Sequence, residues 1–298
     1  MNDYVRSPLN YIGGKYKLLP QILPLFPRKI NTFVDLFCGG CNVGINVHAH
    51  RVVFNDILSY LIDLYVSLKE NDVQTILNHI DHRIETFNLS LTNEVGYKKM
   101  RDIYNQDRNP LDLFVLVAYS FNHQIRFNNS HEFNNPFGRD RSRYNETMKR
   151  NLRRFIEHIQ SSNALFTCQN YDKFDFSVLE GDDFVYCDPP YLITTGTYND
   201  GKRGFTGWSE QEEKCLYEIL NGLTKSGISF ALSNVLIHKG KENDILRKWI
   251  AENNYVIHYL NSDYANSNYH TKNRQKTSTI EVLITNYIPK KIQYEIFG

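Results

Sequence analysis

Short runs of β-branched and aromatic residues recur along the chain, and segments with helical spacing separate several of them. The first two runs are TFVDLF (32–37) and RVVFND (51–56). The later runs cover residues 164–168, 183–187, 228–232, 255–260 and 278–287. Strands that alternate with helices favour α/β units, because each crossover between parallel strands needs a helix-sized connection. The pattern therefore predicts a mostly parallel α/β sheet.

The strand-like pattern stops between about residues 70 and 165, where polar, helix-compatible segments replace it. One stretch there, FNNSHEFNNPFGRDRSRY (127–144), contains the Asn, Gly and Pro residues that mark turns and favour a hairpin. We expect one sheet domain, formed by residues 1–69 and 166–298, that is split by a largely helical insertion at 70–165. A chain of 298 residues is long enough for this arrangement.

Charge is distributed unevenly along the chain. The formal net charge is only +1, which by itself argues against a protein that binds nucleic acid. Residues 139–154, however, carry seven basic and two acidic side chains. Such a run is usually a solvated helix face, but here it follows Asn122, Gln124 and Arg126, whose side chains suit base edges and phosphates. The combination favours a nucleic-acid surface in the insertion.

The glycine-rich segment DLFCGGCNVG (35–44) follows the first strand, and Asp56 ends the second. A glycine turn that leads into a helix, with an acidic residue about 20 positions on, suits a nucleoside-containing cofactor. A plain tight turn is at least as common. Cys38 and Cys41 also form a CxxC pair of the thioredoxin-like type. The five cysteines are scattered, so we predict neither disulfides nor a metal site.

The tetrapeptide Asp188, Pro189, Pro190 and Tyr191 directly follows the apolar strand 183–187. Prolines cannot continue a strand ladder, so they fix the backbone where the strand ends. The Asp188 carboxylate and the Pro189 carbonyl can then accept both N–H groups of one amino group, and the Tyr191 ring can stack on a flat base. This motif is more specific than the glycine turn. A purely structural interpretation is more plausible for the glycine turn than for the tetrapeptide.

The segments SPLNYIGGKYKLLPQI, DLFCGGCNVG, FND, EFNNPFGR and CDPPY occur in that order. Together they resemble the Dam-type, alpha-group DNA adenine-N6 methyltransferases over about residues 7–287. The resemblance implies a Rossmann-like class I methyltransferase sheet with a target-recognition insertion, S-adenosylmethionine as cofactor and double-stranded DNA as substrate. It also implies transfer of a methyl group to the N6 amine of a flipped adenine.

The resemblance also assigns residues. Cofactor contacts are expected from Tyr11, Lys15, Asp35, Phe37, Gly39, Gly40, Asp56, Asn170, Tyr171 and Asp188. The catalytic tetrapeptide is expected at 188–191. DNA contacts are expected from Asn122, Arg126, Asn128, Pro136, Arg139, Arg141 and Arg150. Two departures stand out: Cys41 replaces a third glycine of the loop, and Asp140 with Arg141 replaces a Tyr and a Lys that act on the duplex.

The target site and the partners follow from the same comparison. Arg126 corresponds to an arginine that reads guanine in GATC-specific members, so GATC is the expected site. Another adenine-containing site and RNA stay open, and a CxxC oxidoreductase is a distant alternative. We expect a cytoplasmic enzyme, bacterial or phage-encoded, without a membrane segment, acting as a monomer or weak dimer beside a cognate restriction endonuclease.

Trp208 and Phe205 could close over the base or pack in the core, and residues 265–278 could lie near DNA phosphates.

Overall fold

A computed structural model describes residues 4–11, 13–194, 208–261 and 279–289. In this part of the chain one eight-stranded sheet has the order β3-β2-β1-β4-β5-β8-β7, and β6 pairs with β5 alone. The strands are β1 (Thr32–Asp35), β2 (Arg51–Asn55), β3 (Ala164–Thr167), β4 (Phe184–Cys187), β5 (Ser229–His238), β6 (Lys241–Glu242), β7 (Val256–Leu260) and β8 (Ile280–Thr285).

Strands β1 to β5 pair in parallel, whereas β8 runs antiparallel to both β5 and β7. The mostly parallel α/β sheet predicted from the sequence is therefore confirmed. Strands β1 and β4 are buried at nearly every position, as expected of central strands that are covered on both faces.

Helices cover the sheet and build most of the insertion. They are α1 (Leu19–Ile22), α2 (Ser59–Glu70), α3 (Val73–Thr86), α4 (Glu94–Asp107), α5 (Pro110–Tyr119), α6 (Glu146–Ser161), α7 (Glu210–Lys225) and α8 (Asp244–Asn253). Six of them begin at an Asp, Asn or Ser whose side chain accepts a backbone N–H of the first turn. These residues are Asp72, Asn93, Asn109, Asn145, Ser209 and Asn243.

The insertion packs directly on the sheet domain. Helix α5 is buried along its whole length and contacts α2, α3 and α4. Tyr65 of α2 lies against Phe155 of α6 and Phe166 of β3, with ring centroids 5.7 and 5.6 Å apart. One hydrophobic core therefore runs from the sheet into the insertion. Strand β3 begins at Ala164, just before the predicted end of the insertion.

One sequence-based expectation about the sheet domain is wrong. The segment after the glycine turn does not form an α-helix but a single 3-10 turn, Gly44–Asn46. The sequence there alternates β-branched Val43, Ile45 and Val47 with glycine and asparagine, residues of low helix propensity. The loop amides consequently bind carboxylate side chains, as described below, instead of belonging to a helix N-terminus.

Two further expectations concern Phe205 and residues 265–278, which lie outside the described residues. Among the helices that the structure does describe, none combines the length and apolar character needed to cross a bilayer.

Candidate active site

The site lies where the sheet reverses its strand order. From β1 the chain adds β2 and β3 on one side, and then β4 and β5 on the other. In open parallel sheets the loops on either side of such a point separate and leave a crevice at the carboxyl ends of the strands. A solvent-open cavity with about 1050 Å³ of free volume lies there.

The cavity brings together every residue that the sequence assigned to cofactor binding. Its lining includes Tyr11, Lys15, Asp35, Phe37, Gly39, Gly40, Asp56, Asn170, Tyr171 and Asp188. It also includes Pro189, Pro190 and Tyr191, together with residues that the sequence did not assign, among them Asn42, Gln169 and Trp208. The motifs that follow four different strands thus meet at one edge of the sheet, because parallel strands end on the same side.

The N-terminal segment reaches the cavity because two asparagines after the glycine turn hold it. Asn42 accepts the Ser7 N–H at 3.1 Å, while Asn46 accepts the Val5 N–H and donates to the Val5 carbonyl. The Tyr11 ring then lies directly on the glycine turn. A Cβ placed on Gly39 would approach this ring to 2.7 Å, so the packing requires glycine.

Two carboxylates and one tyrosine fix the glycine turn. Asp56 accepts the Gly39 N–H at 2.9 Å, and Asp35 accepts the Gly44 N–H at 3.0 Å. The Tyr65 hydroxyl donates to the Gly39 carbonyl at 2.7 Å. Cys41 adopts φ 59°, a left-handed conformation that favours glycine, which gives a physical reason for the glycine that the resemblance implies at this position.

The CxxC pair lacks the features of a redox site. Cys38 and Cys41 are both free and buried. Burial raises the pKa of each thiol above its ordinary value, and for Cys38 the Cys41 thiol and the nearby Asp56 and Asp35 add to the rise. A reactive pair needs an exposed thiol with a lowered pKa. The two cysteines instead pack as small side chains beneath the glycine turn.

The carboxylates at the cavity differ in environment. Asp35 is almost fully buried, and burial, with smaller contributions from Asp188 and Asp56, raises its pKa to about 8. Asp35 therefore enters the neutral pH range mostly protonated. Asp188 has a cationic partner, since its Oδ2 lies 2.8 Å from the Lys15 Nζ.

Three aromatic rings form one wall of the cavity. Phe37 lies 5.4 Å from Tyr171 and 5.7 Å from Trp208, measured between ring centroids. The Trp208 indole N–H donates to Glu213, a fully buried carboxylate that also accepts the Tyr217 hydroxyl at 2.5 Å. Trp208 thus belongs to the cavity wall, where the hydrogen bond that it donates to α7 fixes its orientation.

The tetrapeptide after β4 forms a compact polar cluster with Lys15. The Tyr191 hydroxyl donates to the Asp188 Oδ1 at 2.9 Å, and the Lys15 ammonium lies 5.1 Å from the centre of the Tyr191 ring. Glu281 of β8 completes the cluster, 3.6 Å from Lys15 and 3.2 Å from the Tyr191 hydroxyl. Sequence reasoning missed Glu281, although an acidic residue within the apolar run IEVLI is a detectable signal.

Most of the predicted DNA-contacting residues lie on or beside the hairpin of the insertion. Isolated bridges join Ser120 to Phe137 and Phe127 to Phe133, so the turn-rich segment does form a hairpin-like loop. Arg126 and Pro136 are exposed on it. Asn122 adopts φ 55° at its base, and its carbonyl accepts the Asn10 side-chain N–H.

Other members of the predicted set make internal contacts. Asn128 accepts the Ser130 and Glu132 N–H groups and so stabilises the hairpin turn. Arg139 pairs with Glu94 of α4 at 2.9 Å, and the Arg141 guanidinium lies 4.9 Å from the centre of the Phe121 ring. Arg150 is exposed on α6, opposite the buried face formed by Leu152, Phe155, Ile156 and Ile159. The set is therefore distributed between the loop and one helix.

Comparisons with known proteins identify relatives of the chain. The chain is 51% identical to the type II methyltransferase M.FokI of Planomicrobium okeanokoites over 286 residues, which are 96% of this chain and 43% of that protein. It is 50% identical to the modification methylase StsI of Streptococcus sanguinis, again over 96% of this chain and 44% of the relative. The chain thus spans less than half the length of these two relatives.

A shorter relative is covered over four fifths of its length. The DNA adenine methylase of Escherichia coli K12 is 32% identical over 235 residues, which are 77% of this chain and 80% of that protein. The profile of the D12 class N6 adenine-specific DNA methyltransferases matches residues 11–278. That match includes the glycine turn, Asp56, the hairpin and the tetrapeptide after β4. The chain belongs to the D12 class of N6 adenine-specific DNA methyltransferases.

Proposed function

We propose that this chain transfers a methyl group from S-adenosylmethionine to the N6 amine of an adenine flipped out of duplex DNA. The observation that carries the proposal is the Asp188 carboxylate, which lies beside Lys15 at the edge of a cavity with an aromatic wall. The carboxylate that would bind the adenine amine therefore lies next to the side chains that would bind the cofactor. Transfer between two bound groups requires this adjacency.

The side chains at the cavity fit S-adenosylmethionine. This cofactor combines a flat adenine, ribose hydroxyls and a cationic sulfonium. Phe37, Tyr171 and Trp208 offer ring surfaces to the adenine, and Asp56 can accept ribose hydroxyls. Tyr11, Lys15, Gly39 and Gly40 line the same cavity, and we assign them to the methionine part. When bound, S-adenosylmethionine supplies an electrophilic methyl group whose bond to sulfur breaks during the transfer.

The residues after β4 prepare the adenine amine for attack. Its lone pair is delocalised into the ring, which makes the amine a weak nucleophile. Hydrogen bonds from its two N–H groups to Asp188 and the Pro189 carbonyl aim the lone pair at the methyl carbon, while the Tyr191 ring stacks on the base. With the cofactor bound, the N–C bond would form while the electron pair of the C–S bond would go to sulfur. The amine then loses one proton towards Asp188 and solvent.

The insertion, residues 70–165, recognises the DNA in this proposal. Arg126, exposed on the hairpin, reads a base edge, with Asn122 and Pro136 beside it. Arg150 and neighbouring basic residues of α6 contact phosphates and supply affinity without sequence information. Arg139 must exchange its pairing with Glu94 for any phosphate contact, so its contribution to DNA binding is smaller.

We propose GATC as the target, because Arg126 and the EFNNPFG segment resemble those of GATC-specific enzymes. The higher identity to relatives named as type II and modification methylases favours a different adenine-containing site as the alternative. Those names also support a cognate restriction endonuclease as a partner.

The experiment follows the methyl group. The protein is incubated with S-adenosylmethionine carrying a radiolabelled methyl group and with plasmid DNA, and the DNA is digested to nucleosides. We expect label in N6-methyl-2′-deoxyadenosine, at a motif that sequencing of the methylated bases then identifies. Label in N4-methyl-2′-deoxycytidine, or in an RNA duplex of the same sequence in preference to DNA, would contradict the proposal. The Asp188→Ala variant, whose transfer rate we expect to fall by about 100-fold or more, controls for contaminating methylases.

A further inference from the structure

Glu281 is a buried acid within an apolar strand, and the proposed mechanism does not use it. Its side chain is 1% exposed, and the three residues that follow it, Val282, Leu283 and Ile284, are completely buried. Removing a carboxylate from water costs several kcal/mol unless it is paired and hydrogen-bonded. Such a residue in the middle of a sheet is costly for stability alone, and its position next to the catalytic tetrapeptide suggests a role there.

Glu281 competes with Asp188 for the one hydrogen bond that the Tyr191 hydroxyl can donate. The Tyr191 hydroxyl lies 2.9 Å from the Asp188 Oδ1 and 3.2 Å from the Glu281 Oε1. A phenol carries a single donor hydrogen, so it donates well to only one of these oxygens at a time. While it donates to Asp188, that oxygen has one fewer lone pair for the adenine amine. Donation to Glu281 releases it.

Lys15 connects the same two carboxylates. Its ammonium lies 2.8 Å from Asp188 and 3.6 Å from Glu281, and it donates to the Gly13 carbonyl at 2.8 Å. The lysine is 3% exposed, so its position depends on these partners and not on water. Glu281 thereby helps to hold the cation beside Asp188.

We propose that Glu281 is a positioning residue that accepts the hydrogen bond of the Tyr191 hydroxyl and anchors Lys15 when adenine enters, which frees the Asp188 Oδ1 for the adenine amine. This inference rests on the proposed function. It assigns Glu281 no contact with the base or the cofactor; its effect passes through Tyr191 and Lys15.

The test is a double-mutant cycle on the rate of a single turnover, with saturating S-adenosylmethionine and duplex DNA. Glu281→Gln keeps the size of the side chain and removes its charge. Tyr191→Phe keeps the stacking ring and removes the hydroxyl group that donates the hydrogen bond. We expect Glu281→Gln to slow methyl transfer by about 10-fold or more with the cofactor Kd nearly unchanged. In the Tyr191→Phe background the same change should have a much smaller effect.

A buried acid at the opposite edge of the sheet gives the matched control. Asp183 precedes β4 and accepts the Thr32 N–H and the Asn31 side-chain N–H. Asp183→Asn should lower the free energy of unfolding and leave the single-turnover rate of folded protein unchanged. If Glu281→Gln behaves like Asp183→Asn, or if its loss of rate is the same with and without the Tyr191 hydroxyl, the inference is wrong.

A second variant and the wild-type activity separate failure of this inference from misfolding and from failure of the proposed function. Glu281→Asp is the second variant if Glu281→Gln does not fold. Its shorter side chain should weaken the contact with Tyr191, so we expect the same loss of rate and the same dependence on the Tyr191 hydroxyl. Absence of methyl transfer to adenine by the wild-type protein would defeat the proposed function itself. Unchanged transfer by both Glu281 variants would defeat only this inference.

Discussion

Gly39→Ala perturbs the contact between the glycine turn and the N-terminal segment. Gly39 has φ 44°, and an added Cβ would meet the Tyr11 ring at 2.7 and 3.0 Å, whereas ordinary contact begins at 3.4 Å. Placing alanine in the left-handed region costs about 1–2 kcal/mol. The clash with a packed ring adds about 1–3 kcal/mol. The total expected loss of unfolding free energy is therefore about 2–5 kcal/mol.

Gly227→Ala provides the comparison. Gly227 also has a left-handed φ, 75°, but no atom lies within 4 Å of an added Cβ. It follows α7, at the edge of the sheet opposite the cavity. The change should cost only the conformational part, about 1–2 kcal/mol, with cofactor affinity intact. The difference between the two variants isolates the clash with Tyr11.

The measurements are denaturant unfolding and calorimetric titration with S-adenosylmethionine. If the displaced Tyr11 ring weakens cofactor binding by about 1.4 kcal/mol, the affinity of Gly39→Ala for S-adenosylmethionine drops about tenfold. Combining Gly39→Ala with Tyr11→Ala removes the clash, so the alanine at 39 should then cost no more stability than Gly227→Ala. Equal losses for Gly39→Ala and Gly227→Ala, with unchanged cofactor affinity, would refute the assignment of the Tyr11 contact to the cofactor site.

Three further predictions concern recognition, pH and thiol chemistry. Arg126→Ala should reduce discrimination between cognate and scrambled duplexes by about 1–3 kcal/mol, whereas Arg150→Ala should weaken binding to both and lower the salt slope by about 1, as measured by fluorescence anisotropy. Because the pKa of Asp35 rises from 3.8 to about 8 on folding, the unfolding free energy of the wild type, relative to Asp35→Asn, should fall as pH increases between these values and level off above them. Cys168 should react rapidly with iodoacetamide in the native protein, while Cys38 should react only after unfolding, as read by mass spectrometry.

Each of these predictions has a clear contrary result. Equal losses on cognate and scrambled DNA would remove Arg126 from base reading. A stability difference that rises with pH, or that does not change, would mean that Asp35 is ionised in the folded protein. Rapid alkylation of Cys38 in native protein would reopen the redox alternative for the CxxC pair.

The sequence predicts local features of the site well and long-range pairings poorly. The strand before Asp188 and the acid at the end of β2 could be identified because a strand end and the turn after it depend on residues that are adjacent in the sequence. The expected helix after the glycine turn was wrong because the β-branched residues there disfavour it. Asn128 shows the ambiguity of asparagine, whose side chain suits both a base edge and the turn that it stabilises in the structure.

The pairings of Lys15 with Asp188 and Glu281 could not be predicted from sequence spacing. The three residues are far apart in the chain and meet only because the N-terminal segment is bound to the glycine turn and β8 inserts between β5 and β7. Tertiary packing decides such contacts, whereas hydrophobic periodicity and local propensity do not contain them.

The central claim is that Asp188 accepts the adenine amine at a cavity that binds S-adenosylmethionine. Its most direct test compares Asp188→Ala with the wild type in two measurements, the cofactor Kd and the single-turnover rate of methyl transfer to adenine in duplex DNA. We predict that the variant still binds the cofactor and that its transfer rate falls by about 100-fold or more. A near-wild-type rate of adenine methylation by cofactor-bound Asp188→Ala would contradict the claim.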